Sequence, residues 1–548
     1  MDKKELKNRI APKNFRWLLS QYRPHRWKIA GLVLLQCIVS LLGVASVVVN
    51  KFLVDSATAD SSLSAGIAVM IGATVLSVLI NLFVQMWMIT FQEKCSFSIR
   101  TDVYGKILRS RLQAVKQFHS EDMLTRLTSD VEQVSGGILH IVIHGIGTFV
   151  KLVSAFLLLC YYDVRLAVAV IVIAPIGVCM FMLLSGKMRH IQENYQKSEA
   201  NYRVYLQESL RNLPVIKAFS GEGASEAGLD RLRDERMAWA VKKRQLRTAT
   251  SALIHITFTV GTTLAFLFGV VQIAEGKITY GTMTAFLSLV SQIQNPVMSL
   301  GEMLRRLISV LASVPRIMEL EVLPRDEAGG DTEAAAGPVE IRGEHIAFAY
   351  DKEAIFEDFS FRIGEGEVVA VTGHSGAGKT TLIKLLLGFA APDAGELCLR
   401  EGERELPITA ATRNYFSYVP QGNTLFHGTI RENLQMGNPA ATEEELWEAL
   451  EIACAREFVE KLPQGLNTML GEQSSGISEG QAQRIAIARA MLRRAPVVIF
   501  DEATSALDEA TELHILEHIR NKGKDTTYLI ITHRQKALEY CTSRITIG

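Results

Sequence analysis

Six long stretches, 29–50, 61–92, 136–162, 166–186, 248–274 and 278–301, contain among them one charged side chain, Lys151. Each is near or above the ~20 apolar residues that a helix needs to cross a bilayer. A buried helix of a soluble protein is the competing reading of any one of them, but six in succession require a membrane domain surrounded by lipid. They explain a hydrophobic content of 48% in a chain of 548 residues whose 58 basic and 58 acidic side chains cancel. That balance gives no reason to expect a nucleic acid partner.

Basic residues set the orientation. Lys3, Lys4, Lys7, Arg9, Lys13, Arg16, Arg23, Arg26 and Lys28 precede the first stretch, and Lys51 alone follows it directly. The N-terminus is therefore expected in the cytoplasm. The connections 93–135 and 185–250 are rich in Lys and Arg, whereas 162–165 and 275–277 are short, which puts both long connections and all that follows the sixth stretch on the same side. The first stretch is too long for a secretory signal and lacks a small-residue cleavage site after it. Cys37, Cys95, Cys160, Cys179, Cys398, Cys454 and Cys541 are scattered and odd in number, so they suggest neither a disulfide framework nor a zinc site.

Beyond residue 320 the composition changes. Pro, Gly, Ala and acids make a linker over 321–338, and an alternating strand opens at Val339. Further on, Val368-Val369-Ala370-Val371-Thr372 runs into Gly373-His374-Ser375-Gly376-Ala377-Gly378-Lys379-Thr380-Thr381 and then an apolar helical pattern. This is the phosphate-loop pattern. Gly373, Gly376 and Gly378 let backbone N–H groups, with that of Ser375, turn toward a phosphate. Lys379 reaches its oxygens, Thr380 can ligate Mg²⁺, and Thr381 follows in the helix start.

About a hundred residues downstream lie Ile477-Ser478-Glu479-Gly480-Gln481, then Val497-Val498-Ile499-Phe500-Asp501-Glu502-Ala503-Thr504-Ser505-Ala506-Leu507-Asp508. Together with the phosphate loop these resemble the ATP-binding cassette, and with six spans ahead of them the whole chain resembles a type I exporter half-transporter. The resemblance implies the fold class: an all-α transmembrane domain of six helices, over 1–320, followed by an α/β P-loop ATPase domain over 339–548. It implies Tyr350 as the adenine-stacking aromatic, Gln421 as the Q-loop residue, His533 as the switch histidine and Asp508 in the D-loop. It also implies two cytoplasmic coupling helices, at 116–130 and 206–220. Family members commonly carry a further strand and helix past the point where this cassette ends.

The cofactors so implied are ATP and Mg²⁺. Phosphoryl transfer needs positioning and charge neutralisation more than covalent help. Asp501, at the end of an apolar strand, supports the metal with Thr380 and Gln421. Glu502 is placed to polarise the attacking water, with His533 holding water and carboxylate in line.

Ser478 and Gln481 have capping-box spacing, which aims a helix N-terminus, with Gly480, at an anion. In the family that anion is the γ-phosphate of the opposite subunit, so the expected partner is a second half-transporter. One chain carries every motif, which favours a homodimer. Glu479, standing where glycine is usual, keeps a heterodimer open.

Inside the spans, Ser288, Gln292, Asn295 and Ser299 share one helical face, Thr74, Ser77, Asn81 and Gln85 another, and His140, His144 and Lys151 a third. Such faces line either a watery path or a hydrogen-bonded helix contact. Pro175 and Pro296 are candidate kink sites. The function expected is ATP-driven export by alternating access from a bacterial plasma membrane. An importer on the same fold and an ATP-gated channel are the alternatives, and intact Glu502 and His533 argue against the channel. The transported substrate cannot be read from these motifs.

Overall fold

A computed structural model describes residues 12–58, 63–326, 337–350, 353–374, 376–422, 424–471, 476–521 and 525–547. Within the long helices the side chains of 169–185, 254, 295, 297–298 and 300 lie outside this description, as do Ser375 and the linker stretch 327–336. Asn295, Pro175 and Cys179 are thus placed by backbone alone.

The chain divides into two units, one of residues 1–105 and 120–322, the other of 106–119 and 323–548. In the first, the apolar stretches correspond to six long helices: Arg26–Thr58, Ser64–Leu108, Val131–Tyr162, Val164–Arg211, Glu222–Ala274 and Tyr280–Glu321. Among the described residues four segments are long and apolar enough to cross a membrane, namely Lys13–Thr58, Ser64–Leu108, Ser120–Tyr162 and Glu222–Ala274. The other two stretches, 166–186 and 278–301, hold most of the side chains that lie outside the description. Their helices continue unbroken through Pro175 and Pro296.

One core packs Val44, Val47, Leu159, Ala265, Phe286 and Leu289. A second packs Leu32, Val84, Phe91, Leu139 and Ile143. Much of the apolar surface elsewhere on these helices stays exposed, as lipid-facing residues do. The polar face of the last helix makes a helix contact, since Gln292 Nε2 donates to the Gly43 carbonyl at 2.8 Å. By contrast, Thr74 and Ser77 donate to carbonyls of their own helix.

The segment expected as one coupling helix over 116–130 is broken. It comprises Ser120–Thr125 and a π turn, Arg126–Asp130, while the helix Leu112–Lys116 belongs to the second unit. Buried Arg126 pairs with Asp122 at 2.8 Å and with Glu319 at 2.7 Å. Arg126 and Asp130, four positions apart and so on one face, are both buried. Over 206–220 a short helix, Leu213–Ala218, lies between the two long ones, with Leu213, Val215 and Phe219 exposed.

In the second unit a parallel sheet runs in the spatial order Ser543–Thr546, Val368–Thr372, Thr527–Ile531, Val497–Asp501 and Phe416–Val419. Alternate residues feed two cores. Val369, Val371, Ile499, Leu529 and Ile531 enter one, and Val368, Val498, Phe500, Tyr528 and Ile530 the other. Both faces are covered, which is why these strands read as unbroken apolar runs. An antiparallel sheet in the order Glu353–Ile363, Glu340–Tyr350, Ala394–Glu401 and Arg404–Pro407 carries Tyr350 at the end of a strand.

Candidate functional site

The carboxyl ends of four neighbouring parallel strands deliver Lys379, His533, Asp501 with Glu502, and Gln421. Ligands of open α/β sheets bind at such ends. From Val368–Thr372 the chain enters the phosphate loop, where Gly378 adopts φ +105° and a β-carbon on it would come within 2.7 Å of Ile355 Cγ2. Only glycine suits that position. Lys379 opens the next helix, is 9% exposed, and donates to the Gly373 carbonyl at 2.7 Å and the His374 carbonyl at 3.3 Å. Thr380 is exposed, Gly376 is exposed, and Thr381 is buried.

From Val497–Asp501 come the two carboxylates. Asp501 is 8% exposed and accepts from the Tyr418 hydroxyl at 3.0 Å. Burial pushes the Asp501 carboxyl above the ordinary range, the Tyr418 bond opposes that, nearby Glu502 adds to it and Lys379 counters it. Burial and the Asp501 charge likewise push the Tyr418 phenol up.

Glu502 takes φ +52°, a left-handed conformation that a side chain rarely adopts and that costs about 1–3 kcal/mol. Its N–H donates to the Ile531 carbonyl at 3.1 Å, which fixes the turn to the end of the neighbouring strand. Gln421 Nε2 donates to Glu502 Oε2 at 2.7 Å. Two residues past Ile531, His533 Nε2 stands 3.6 Å from Glu502 Oε1 and 3.1 Å from Lys379 Nζ. Lys379, Gln421, Asp501, Glu502 and His533 are therefore brought together, while Ser375 lies outside the described residues.

Other predicted residues lie elsewhere in the cassette. Tyr350 lines a cavity of about 580 Å³ with Lys384, whose ammonium donates to the phenol at 2.8 Å. Asp508 accepts from the N–H and the hydroxyl of Thr511, and the N–H bond leads in holding its carboxyl below the usual range.

The capping box at the signature is present. Ser478 Oγ accepts from the Gln481 N–H at 3.3 Å and Gln481 Oε1 accepts from the Ser478 N–H at 2.9 Å, opening the helix Glu479–Leu492. Glu479 is exposed. A β-carbon on Gly480 would come within 2.8 Å of the Ala506 carbonyl, so the glycine lets the signature touch the D-loop.

Three partners escaped sequence reading. Gln483, 1% exposed, accepts from the Ala506 N–H at 3.1 Å. Arg534, adjoining His533, donates to the carbonyls of Ser505 and Leu507 and to Glu512 at 2.7 Å. Glu512, 2% exposed, in turn accepts from Thr504 at 2.6 Å. The basic residue after a switch histidine was the available signal, but its acceptors are not adjacent in sequence.

The family described as ABC transporter transmembrane region matches residues 29–297, and that described as ABC transporter matches residues 356–505. The chain is 30% identical to YgaD of Bacillus subtilis, whose name proposes a multidrug export ATP-binding/permease role, over 82% of this chain and 78% of that protein. It is 28% identical to an ATP-dependent lipid A-core flippase of Syntrophus aciditrophicus, over 80% of this chain and 73% of the other. A solved bacterial Atm1-family ABC exporter with ATP bound is similar in fold, with a TM-score of 0.76 at 23% identity, covering 95% of this chain and 93% of that one.

Proposed function

Because this chain belongs to the ABC transporter family, with the family's transmembrane region and ATP-binding cassette in one polypeptide, we propose that it works as one half of an exporter whose ATP sites are completed across a homodimer. The chain is an ATP-hydrolysing export protein with several membrane spans. The observation that carries the finer reading is the meeting of Gln421, Glu502, His533 and Lys379 around one point, at 2.7, 3.6 and 3.1 Å. Among the described residues no hydrogen bond joins the Ser478 cap to that cluster. This supports a signature that acts on a second subunit's nucleotide.

In this reading 1–320 is the membrane domain, 321–338 the linker and 339–548 the cassette, held in the cytoplasm. The helices Ser120–Thr125 and Leu213–Ala218 transmit cassette motion. Glu502 is the general base, held by Gln421, and His533 aligns it with the attacking water. Lys379 leaves the Gly373 carbonyl to hold β and γ oxygens, and Tyr350 stacks on adenine. Asp501 and Thr380 fit Mg²⁺, since a buried carboxylate beside a second one suits a divalent cation. Bound there, Mg²⁺ would neutralise phosphate charge.

Native mass spectrometry of Glu502→Gln with ATP tests the dimer. Dimers of the chain alone support a homodimer, and Glu479→Gly should then alter the ATPase rate of the protein purified alone. Monomers only, with negligible ATPase whatever occupies position 479, would instead require a different partner chain.

A further inference from the structure

A cavity of about 650 Å³ in the membrane unit is lined from three helices by charged and polar side chains. Its lining residues cluster where uncharged stretches end: Gln92 closes one, Gly136 opens another, and Glu302 directly follows a third. That is the side on which the basic connections lie. Such a volume is that of a small-molecule site.

The charges in this cavity do not simply cancel by pairing. Arg306 and Glu302 bond at 3.1 Å and neutralise each other. Among the described residues Arg305 and Glu132 form no ion pair, which leaves one cation and one carboxylate on the wall. His140, also in the lining, has a buried Nδ1 with no hydrogen-bond partner, and its ring lies 4.5 Å from that of His144, tilted by 45°. A concave wall concentrates the field of such charges. An anion would meet Arg305 but be opposed by Glu132, and a cation would meet the reverse. A ligand with both signs satisfies both.

We propose that this cavity is a recognition site for a zwitterionic substrate, its anionic group on Arg305 and its ammonium on Glu132. This rests on the reading of the chain as an exporter. The ligand chemistry fits a lipid headgroup and a free zwitterion equally.

The test uses the full chain in uncharged maltoside micelles and titration calorimetry. The probes are lysophosphatidylethanolamine, its soluble headgroup glycerophosphoethanolamine, an anionic lysophosphatidylglycerol and a cationic alkyl trimethylammonium. At least one zwitterion should bind about tenfold more tightly than either singly charged amphiphile, the yield of one added charge-assisted contact. Binding by the lysolipid alone assigns the site to a membrane headgroup, and binding by both zwitterions assigns it to the zwitterion itself.

Arg305→Glu should turn the preference toward the cation, and Glu132→Arg toward the anion. A gain for one ligand class cannot arise from misfolding. No zwitterion binding, a wild-type preference for either single charge, or an unchanged order in both variants would overturn the proposal. ATP hydrolysis by the same wild-type preparation separates that failure from failure of the exporter reading.

Discussion

Gln421 Nε2 donates to Glu502 Oε2 at 2.7 Å, across 81 residues of sequence, and so orients the carboxylate assigned as the base. Glu502 enters the site on a left-handed turn, and one oxygen is already committed to Gln421. Gln421→Ala should therefore reduce kcat about tenfold or more, the scale of one hydrogen bond to a charged group, with KM for ATP changed much less. Steady-state kinetics check this. A raised KM at unchanged kcat would place Gln421 in nucleotide binding instead.

Tyr418 affects the pH response. Its hydroxyl favours the charged form of Asp501, opposing the upward push from burial. Tyr418→Phe removes that opposition, so the Asp501 pKa rises further. The protonated form, which cannot serve the metal, then persists to higher pH, and the acid limb of the ATPase profile should move upward. A profile that stays in place, or moves down, contradicts the role given to this bond.

Arg534 spans from the switch histidine to the D-loop and compensates buried Glu512. Arg534→Ala leaves that carboxylate with Thr504 alone and should destabilise the cassette by about 1–3 kcal/mol, discounted because Arg534 itself is partly exposed. Calorimetry should record a melting drop of several degrees, partly recovered by adding Glu512→Gln. If the double variant melts as low as the single one, an uncompensated Glu512 is not the cause.

The sequence disclosed what local pattern encodes. Six apolar stretches, the loop ending at Lys379 and the Ser478 capping box each depend on neighbours within a few residues, and the structure places the helices and the cap accordingly. Contacts between distant positions were not legible. Tyr418 meets Asp501 across 83 residues and Arg534 meets Glu512 across 22, through packing that neither spacing nor composition reveals. Arg126, in the π turn that follows the helix Ser120–Thr125, likewise meets Glu319 on another helix, a contact that no local pattern reveals. Nor does any local signal announce that Glu502 takes φ +52°.

The assignment of Glu502 is tested most directly by steady-state hydrolysis and ATP binding measured side by side on Glu502→Gln. The amide keeps the shape of the side chain and leaves Lys379 and the loop amides untouched, but it cannot accept the proton from water. Hydrolysis is expected to fall ~100-fold or more while ATP is still bound, since general base catalysis is typically worth that much. A variant retaining more than about a tenth of wild-type kcat would contradict Glu502 as the base.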